Sequence, residues 1–355
     1  DCKNAINRRI DKGTLLINYT GHGGEKGLTK ERIIDVDQIL DWDNYNSLPL
    51  FVTATCEFGR LDNPQLTSGG EHIILNPNGG GVALLTTTRY VYSHLNYNLN
   101  TNFINSLFEK IDGRNPTLGD MFLKTKVLSG TSINSNKFTL LGDPMMSLAI
   151  PEYGVRTTMF PDTVSALGKF TFTGEIINED SVKVNNFNGE IEILVFDKEI
   201  IAQTQGQQSS SPMDYKKQTN LIYKGTSSVV DGVFTFSFIV PQDIDYNFDF
   251  GRISYYAFDE FSNADASGWN ESFVVGGISD DEIFDDIGPS IELYMNDKQF
   301  VSGGITNSTP TFLAFIEDSS GINTIGNSIG HDITITIDGD YSKKIILNDY
   351  YQAEK

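Results

Sequence analysis

The chain has 355 residues, 39% of them apolar, which is enough to bury more than one core at ordinary domain sizes. Its 26 basic and 47 acidic side chains leave a formal charge of −21, which opposes the phosphate contacts on which nucleic-acid affinity rests; DNA, RNA and anionic membrane surfaces are set aside as partners. Two cysteines, Cys2 and Cys56, are too few for a disulfide framework, and no apolar run reaches the length of a membrane span. The chain opens at Asp1 without an initiator Met or a signal-peptide pattern and stops in strand-like sequence, so it reads as an excerpt of something longer.

In chain order, residues 1–150 alternate apolar runs with helical patterns, the signature of an α/β domain with a parallel sheet and flanking helices. Strands are expected over Thr14 to Tyr19, Leu48 to Thr55 and Gly81 to Thr87, each apolar on successive residues as strands covered on both faces are. Val36, Ile39, Leu40 and Asp43 give a partial pattern for one crossover helix. Leu99, Phe103, Leu107 and Ile111 fall on one helical face, and Thr117 to Gly130 offers an N-cap, an acid three residues on and a closing Gly.

From Pro151 the pattern changes to period-two alternation and reads as all-β sandwich strands; Phe234, Phe236 and Phe238 are one example, Ile333, Ile335 and Ile337 another. The acidic stretch Gly276 to Gly288 reads as a linker, giving modules over 151–286 and 287–355, the second truncated. Gln203 to Gln218, rich in Gln and Ser, reads as a mobile surface loop.

The chemistry concentrates where the first two strands end. Thr20-Gly21-His22-Gly23-Gly24-Glu25 puts a histidine between glycines at the carboxyl edge of a parallel strand, where ligands and catalysts gather. A backbone N–H beside it is a candidate oxyanion donor. The second strand ends at Thr55-Cys56-Glu57, so Cys56 emerges beside His22 if the two strands are neighbours. A thiol next to an imidazole can attack an amide carbonyl with no cofactor, the base taking the thiol proton and returning it to the leaving amine. Against this, a lone Cys ending an apolar strand is commonly a small core residue, and a lone His in a Gly-rich turn a turn residue.

The wording TGHGG, TATCEFGRLDNP, TSGGEHIILNPNGGGVALLTTTRYVY and LLGDPMMSLAIP resembles the gingipain-type C25 cysteine peptidases, whose sheet is caspase-like, and within them the sortase of the type IX secretion system. GPSIELYMNDKQF and FIEDSSGINTIGNSIGHDITITIDGD resemble the immunoglobulin-like modules that follow that peptidase domain. The resemblance implies a cell-surface endopeptidase, exposed on the outer membrane, with Cys56 as nucleophile and His22 as general base. It implies oxyanion donors at the backbone N–H groups of Gly23 and Cys56, and a specificity-pocket wall over Thr86 to Tyr92, including Thr87, Thr88, Arg89 and Tyr90. It also implies protein substrates bearing a C-terminal signal domain, an outer-membrane β-barrel anchor as partner and anionic lipopolysaccharide as the acceptor of a thioester. A carboxylate orienting the histidine is expected in sequence preceding this stretch, since only Asp1 and Asp11 stand before His22. Two rival readings are a peptidase that only hydrolyses and an inert scaffold.

The remaining polar residues read as structural. Glu25 and Glu57 are expected to be solvated turn charges, and His72, His94 and His331 have no partner at metal-ligand spacing. Neither cofactor nor metal is expected. The acidic clusters Asp280 to Asp286 and Glu317-Asp318 lack the spacing of a calcium loop, and Gly69-Gly70 and Gly79-Gly80-Gly81 lack the register of a dinucleotide fingerprint.

Overall fold

The computed structural model describes residues 2–206, 210–281, 287–318, 322 and 332–353, and the chain forms two compact units, 1–150 and 151–355. His331 and most of the Asp280 to Asp286 cluster lie outside the described residues.

The first unit begins with helix α1 (Cys2–Lys12) and strand β1 (Leu16–Thr20). Three two-residue strands follow, β2 (Gly23–Gly24), β3 (Gly27–Leu28) and β4 (Ile34–Asp35), then helix α2 (Val36–Leu40) and strand β5 (Leu50–Ala54). Helix α3 (Gly69–Leu75), strand β6 (Ala83–Thr87), helices α4 (Ser93–Leu107) and α5 (Leu118–Ser129) and strand β7 (Phe138–Leu141) complete it.

The main sheet has the order β1-β5-β6-β7. Its first three strands are parallel, as expected, but β7 runs antiparallel to β6, so the sheet is mixed. The short run Phe138–Leu141 follows a single 3-10 turn, Ser135–Lys137, and closes the edge beyond β6, a place where parallel sheets commonly take an antiparallel strand. Every residue of β5 and β6 is buried, because one apolar cluster packs on each face. Leu99, Phe103, Leu107, Leu118 and Met121 of α4 and α5 cover one side. Ile10, Ile39, Phe58 and Ile73 belong to the cluster on the other. Ile111, expected on the α4 stripe, lies past the helix end and bridges Arg114 instead.

Helix α5 starts and stops where its sequence dictates. Thr117 caps it, with Oγ1 accepting from Asp120 N–H at 3.1 Å while the Asp120 carboxylate accepts from Thr117 N–H at 3.0 Å. Gly130 ends it with φ +64°, a conformation costly for residues with a Cβ. The crossover between β1 and β5 is a five-residue helix plus the three-stranded ribbon β2-β3-β4, less helical than its partial pattern suggests.

The second unit is all-β. Strands β8 (Tyr153–Met159), β9 (Thr163–Ala166), β10 (Lys169–Ile177), β11 (Gly189–Phe196), β12 (Ile200–Gln203), β13 (Asp214–Lys217), β14 (Leu221–Val229) and β15 (Val233–Ile239) come first. They are followed by β16 (Asp249–Phe250), β17 (Arg252–Asp259), β18 (Ala264–Asn270), β19 (Val274–Ile278), β20 (Ser290–Met295) and β21 (Phe312–Glu317).

Seven strands form one sheet in the order β14-β11-β17-β18-β8-β10-β15. Its two edge strands, β14 and β15, are consecutive in the chain and meet through Ser227 Oγ and the Thr235 carbonyl at 2.9 Å, so the sheet curls back on itself. The alternating residues Phe234, Phe236 and Phe238 point into the enclosed core, as their period-two spacing predicts. There the Phe172 ring lies 5.3 Å from Phe236 and 5.6 Å from Phe273. A small sheet β16-β19-β9 contributes Val164, Ala166 and Val275 to the same core.

Three expectations change here. Gln203 to Gln218 is not a plain loop: β12 and β13 pair antiparallel from Ile200↔Lys217 to Gln203↔Asp214, with Thr204 and Met213 continuing the ladder. The linker begins later than Gly276, since Gly276 and Gly277 sit inside β19, where Gly277 takes φ +69°. Of the Ile333 to Ile337 alternation only Thr334–Ile335 is a strand, paired with Ile345–Ile346. Ala353 runs alongside β14, exchanging hydrogen bonds with Lys224 and Thr226. Among the described residues no helix is long and apolar enough to cross a membrane.

Two outcomes follow from this packing. Phe172→Ala removes a fully buried ring from three aromatic contacts and is expected to cost about 3–5 kcal/mol, read by denaturant unfolding of the full chain. The Asp120 carboxyl is held down to about 2, first by Arg114 and then by Thr117, so its support of α5 is present above the ordinary carboxylate range and is lost as pH falls through about 2. Asp120→Asn should therefore destabilise the chain at about pH 5 and lose that effect near about pH 2, in the same unfolding measurement.

Candidate active site

The site is built on the register of β1 against β5. These strands pair in parallel from Leu16↔Leu50 to Thr20↔Ala54, and Gly21 N–H extends the ladder to the Ala54 carbonyl at 3.4 Å. Neighbouring strands lie about 4.8 Å apart, so the two chains leave the sheet side by side. His22 stands two residues past Thr20 and Cys56 two residues past Ala54. The sheet thus brings the two sequence candidates to one edge at equal height.

His22 is exposed and its backbone is tied down: its carbonyl accepts from Tyr19 Oη at 2.6 Å and from Thr29 N–H at 2.8 Å. That second bond makes His22 and Thr29 a hydrogen-bonded pair of the β2–β3 ribbon. The next pair, Gly23↔Leu28, is then a non-bonded one, and the Gly23 N–H faces away from β3. Gly23 needs its missing side chain, because a Cβ there would sit 2.5 Å from Thr55 Oγ1. The Thr55 hydroxyl is buried with no hydrogen-bond partner among the described residues.

Cys56 is half-buried rather than sealed in the core, and its sulfur lies 3.8 Å from the Val91 carbonyl. Among the described residues neither ring nitrogen of His22 makes a hydrogen bond. The loop after Cys56 is fixed from both sides. Gly59 N–H donates to the Thr87 carbonyl at 3.0 Å, and Gly70 N–H to the Phe58 carbonyl at 2.9 Å. Gly69 and Gly70 permit this approach: a Cβ on Gly69 would meet the Phe58 ring at 2.5 Å, so this pair serves packing beside the site. Helix α3 itself was announced by Ser68 and Glu71, a complete capping box that hydrophobic periodicity passes over.

The expected pocket wall divides in two. Thr86 and Thr87 are fully buried, with Thr86 Oγ1 accepting from Thr53 Oγ1 at 2.7 Å and Thr87 Oγ1 bonded to the Thr55 carbonyl, so their side chains fasten β6 to β5 and cannot line a pocket. Thr88 donates to the Lys137 carbonyl. Of the stretch Thr86 to Tyr92, Arg89, Tyr90 and Tyr92 are exposed.

Glu25 and Glu57 are not the free surface charges their turn positions suggest. Glu57 is 9% exposed, with backbone φ +52°. The Glu25 carboxylate lies 3.2 Å from Arg60 and accepts from Asn63 at the same distance. Arg60 also reaches Asp62 at 3.2 Å, and Asp62 takes a two-pronged contact from Arg89 at 2.6 and 3.2 Å. Arg89, followed by Arg60, holds the Asp62 carboxyl below its ordinary range. The Tyr90 phenol is pushed up chiefly by the Glu57 carboxylate, with Cys56 a smaller contributor. The chain of charges Glu25, Arg60, Asp62 and Arg89 therefore ties the loop after β1 to the loops after β5 and β6.

His94 is exposed against Tyr92 and His72 is half-buried on α3; neither joins the site. Among the described residues no three His, Cys, Asp or Glu side chains gather as a metal site.

Residues 1–149 match the family model of peptidase family C25, which bears out the resemblance read from the sequence. The crystal structure of dimeric latent PorU from Porphyromonas gingivalis shares 32% identity over 69% of this chain and 24% of that one, with a TM-score of 0.42. The Arg-specific cysteine proteinase gingipain R shares 18% over 77% of this chain and 55% of that one, at 0.38. The complex of Porphyromonas gingivalis RgpB pro- and mature domains shares 17% over 77% and 56%, at 0.39. The matched stretch spans only 24% of the PorU chain. No curated protein matches.

A double-mutant cycle of Glu25→Gln and Arg60→Gln should give non-additive losses in chemical unfolding, since the pair belongs to a network of charges. Additive losses would show that the two loops are not held through this pair.

Proposed function

Taking the C25 match of residues 1–149 as premise, we propose that the chain carries the thiol half of a cysteine endopeptidase acting at the bacterial cell surface, with Cys56 as nucleophile and His22 as general base. The observation that supports it most is the β1–β5 register, which sets both residues two positions beyond paired strand ends. In this mechanism the Cys56 sulfur bonds to the carbonyl carbon of the scissile peptide while its proton passes to His22. The oxyanion is received by the outward Gly23 N–H and the Cys56 N–H. Collapse breaks the C–N bond, the amine leaves with the proton from His22, and an acyl thioester remains on Cys56. Water releases an acid from it; an amine releases a new amide.

The finer reading is that of the type IX sortase the sequence resembles. There the cleaved segment is a C-terminal signal domain, the acceptor amine belongs to anionic lipopolysaccharide, and the β unit is an immunoglobulin-like accessory module facing a β-barrel anchor at the outer membrane. Exposed Arg89, Tyr90 and Tyr92, on the loop after β6, are the side chains of the expected pocket wall that we assign to contact a substrate.

The test is product analysis by mass spectrometry with the full-length protein, a signal-domain substrate and an added amine. The reading predicts a product extended by the amine, and at least about a thousandfold loss of turnover in Cys56→Ala. A product ending only in a free carboxylate supports the hydrolytic peptidase. Undiminished turnover in Cys56→Ala would leave the scaffold reading.

A further inference from the structure

Beside His22 the β2–β3 ribbon and the loop after it enclose an open concavity of about 500 Å³. Its lining includes three cations, Lys26, Lys30 and Arg32, and one anion, Glu25. This inverts the balance of the chain, where 47 acids outnumber 26 bases. The one anion is also already matched, because Arg60 and Asn63 hold the Glu25 carboxylate from outside the concavity. All three cations are exposed, and none forms an ion pair among the described residues. Arg32 does feel Asp35, which is itself bonded to Lys3 at 2.5 Å, and the exposed Glu31 between Lys30 and Arg32 acts on Tyr19, whose hydroxyl sits on the His22 carbonyl.

The loop that presents these charges is held in an unfavourable shape. Thr29 has φ +63° and Arg32 φ +53°, the left-handed region, which is uncommon for any side chain and rare for a β-branched one. Thr29 N–H on the His22 carbonyl and Arg32 N–H on the Thr29 carbonyl maintain it. Backbone in such conformations persists where surrounding contacts over-determine it and concentrates at ligand clamps. Relaxing Thr29 would break the bond to the His22 carbonyl, so the cations and the histidine are positioned by one rigid loop.

We propose that this concavity is a substrate subsite for a carboxylate side chain of the bound peptide, received by Lys26, Lys30 and Arg32 next to His22. It rests on the peptidase reading in one respect, that a peptide lies across His22. The consequence is selectivity for an acidic residue at one fixed distance from the scissile bond. Arg60 offsets the Glu25 charge, and Lys30 and Arg32 flank Glu31 on both sides in the chain.

The test is binding of fluorescent peptides, a single Glu moved stepwise through an otherwise neutral sequence, to the full chain carrying Cys56→Ala. At one position Glu should tighten binding about tenfold over Gln at low salt, three weak exposed charge contacts acting together. The gain should shrink severalfold at about 0.5 M salt. It should vanish in Lys26→Gln/Lys30→Gln/Arg32→Gln, while the neutral peptide binds that variant unchanged. Equal binding of Glu and Gln peptides at every position, or a preference that survives the triple substitution or the salt, overturns the subsite. The salt arm uses the unsubstituted loop and so stands even if the triple variant fails to fold. Cleavage of the panel by the unsubstituted protein without acid preference refutes the subsite and leaves the peptidase standing. Acid-selective binding without Cys56-dependent cleavage supports the subsite and refutes the peptidase.

Discussion

The parallel pairing of Thr20 with Ala54 is the constraint on which the site depends. A one-residue slip between β1 and β5 would displace His22 relative to Cys56 by about 3.3 Å along the strands and turn one side chain to the other face. The register is protected by burial. All five residues of β5 are inaccessible, clamped by α4 and α5 on one face and by Ile10, Ile39 and Phe58 among others on the opposite one. The site is rigid because the central strand below it cannot move without opening two apolar cores.

Above the sheet edge the loops need separate restraint, and here polar contacts replace apolar ones. Thr53 with Thr86, and Thr87 with the Thr55 carbonyl, bond the strand ends across the sheet where water would otherwise compete. Further out, the charges of Glu25, Arg60, Asp62 and Arg89 link three loops. Each exposed contact contributes little alone, but a network shares the entropy of ordering. Glycines supply the rest: Gly23, Gly59 and Gly69 let backbone and side chains approach to distances that a Cβ would forbid.

Much of this was legible in the residues. The strands β1, β5 and β6 stood out as continuous apolar runs, and α5 as a capped segment from Thr117 to Gly130. The positions of His22 and Cys56 at strand ends followed from those runs alone. What escaped is local or long-range in character. The ribbon β2-β3-β4 has two-residue strands, too short for any period to show. The antiparallel direction of β7 depends on where the chain re-enters the sheet, which no pattern within Phe138–Leu141 records. Glu25 and Glu57 looked solvated because their partner, Arg60, lies 35 residues beyond one of them and its charge is aimed back by the fold. Thr86 and Thr87 looked available because a hydroxyl satisfied inside a sheet reads in sequence like one facing solvent.

The proposed function requires the sheet edge to couple the Cys56 thiol to the His22 imidazole. The most direct measurement is the rate of alkylation of each cysteine by iodoacetamide at neutral pH, resolved by peptide mass spectrometry in the unsubstituted protein and in His22→Ala. Cys2 is exposed on α1 and serves as the internal reference, while Cys56 is half-buried. Coupling predicts that Cys56 reacts faster than Cys2 despite its burial, and that His22→Ala slows Cys56 at least about tenfold while leaving Cys2 unchanged. A Cys56 that reacts more slowly than Cys2, at a rate indifferent to His22, would contradict it.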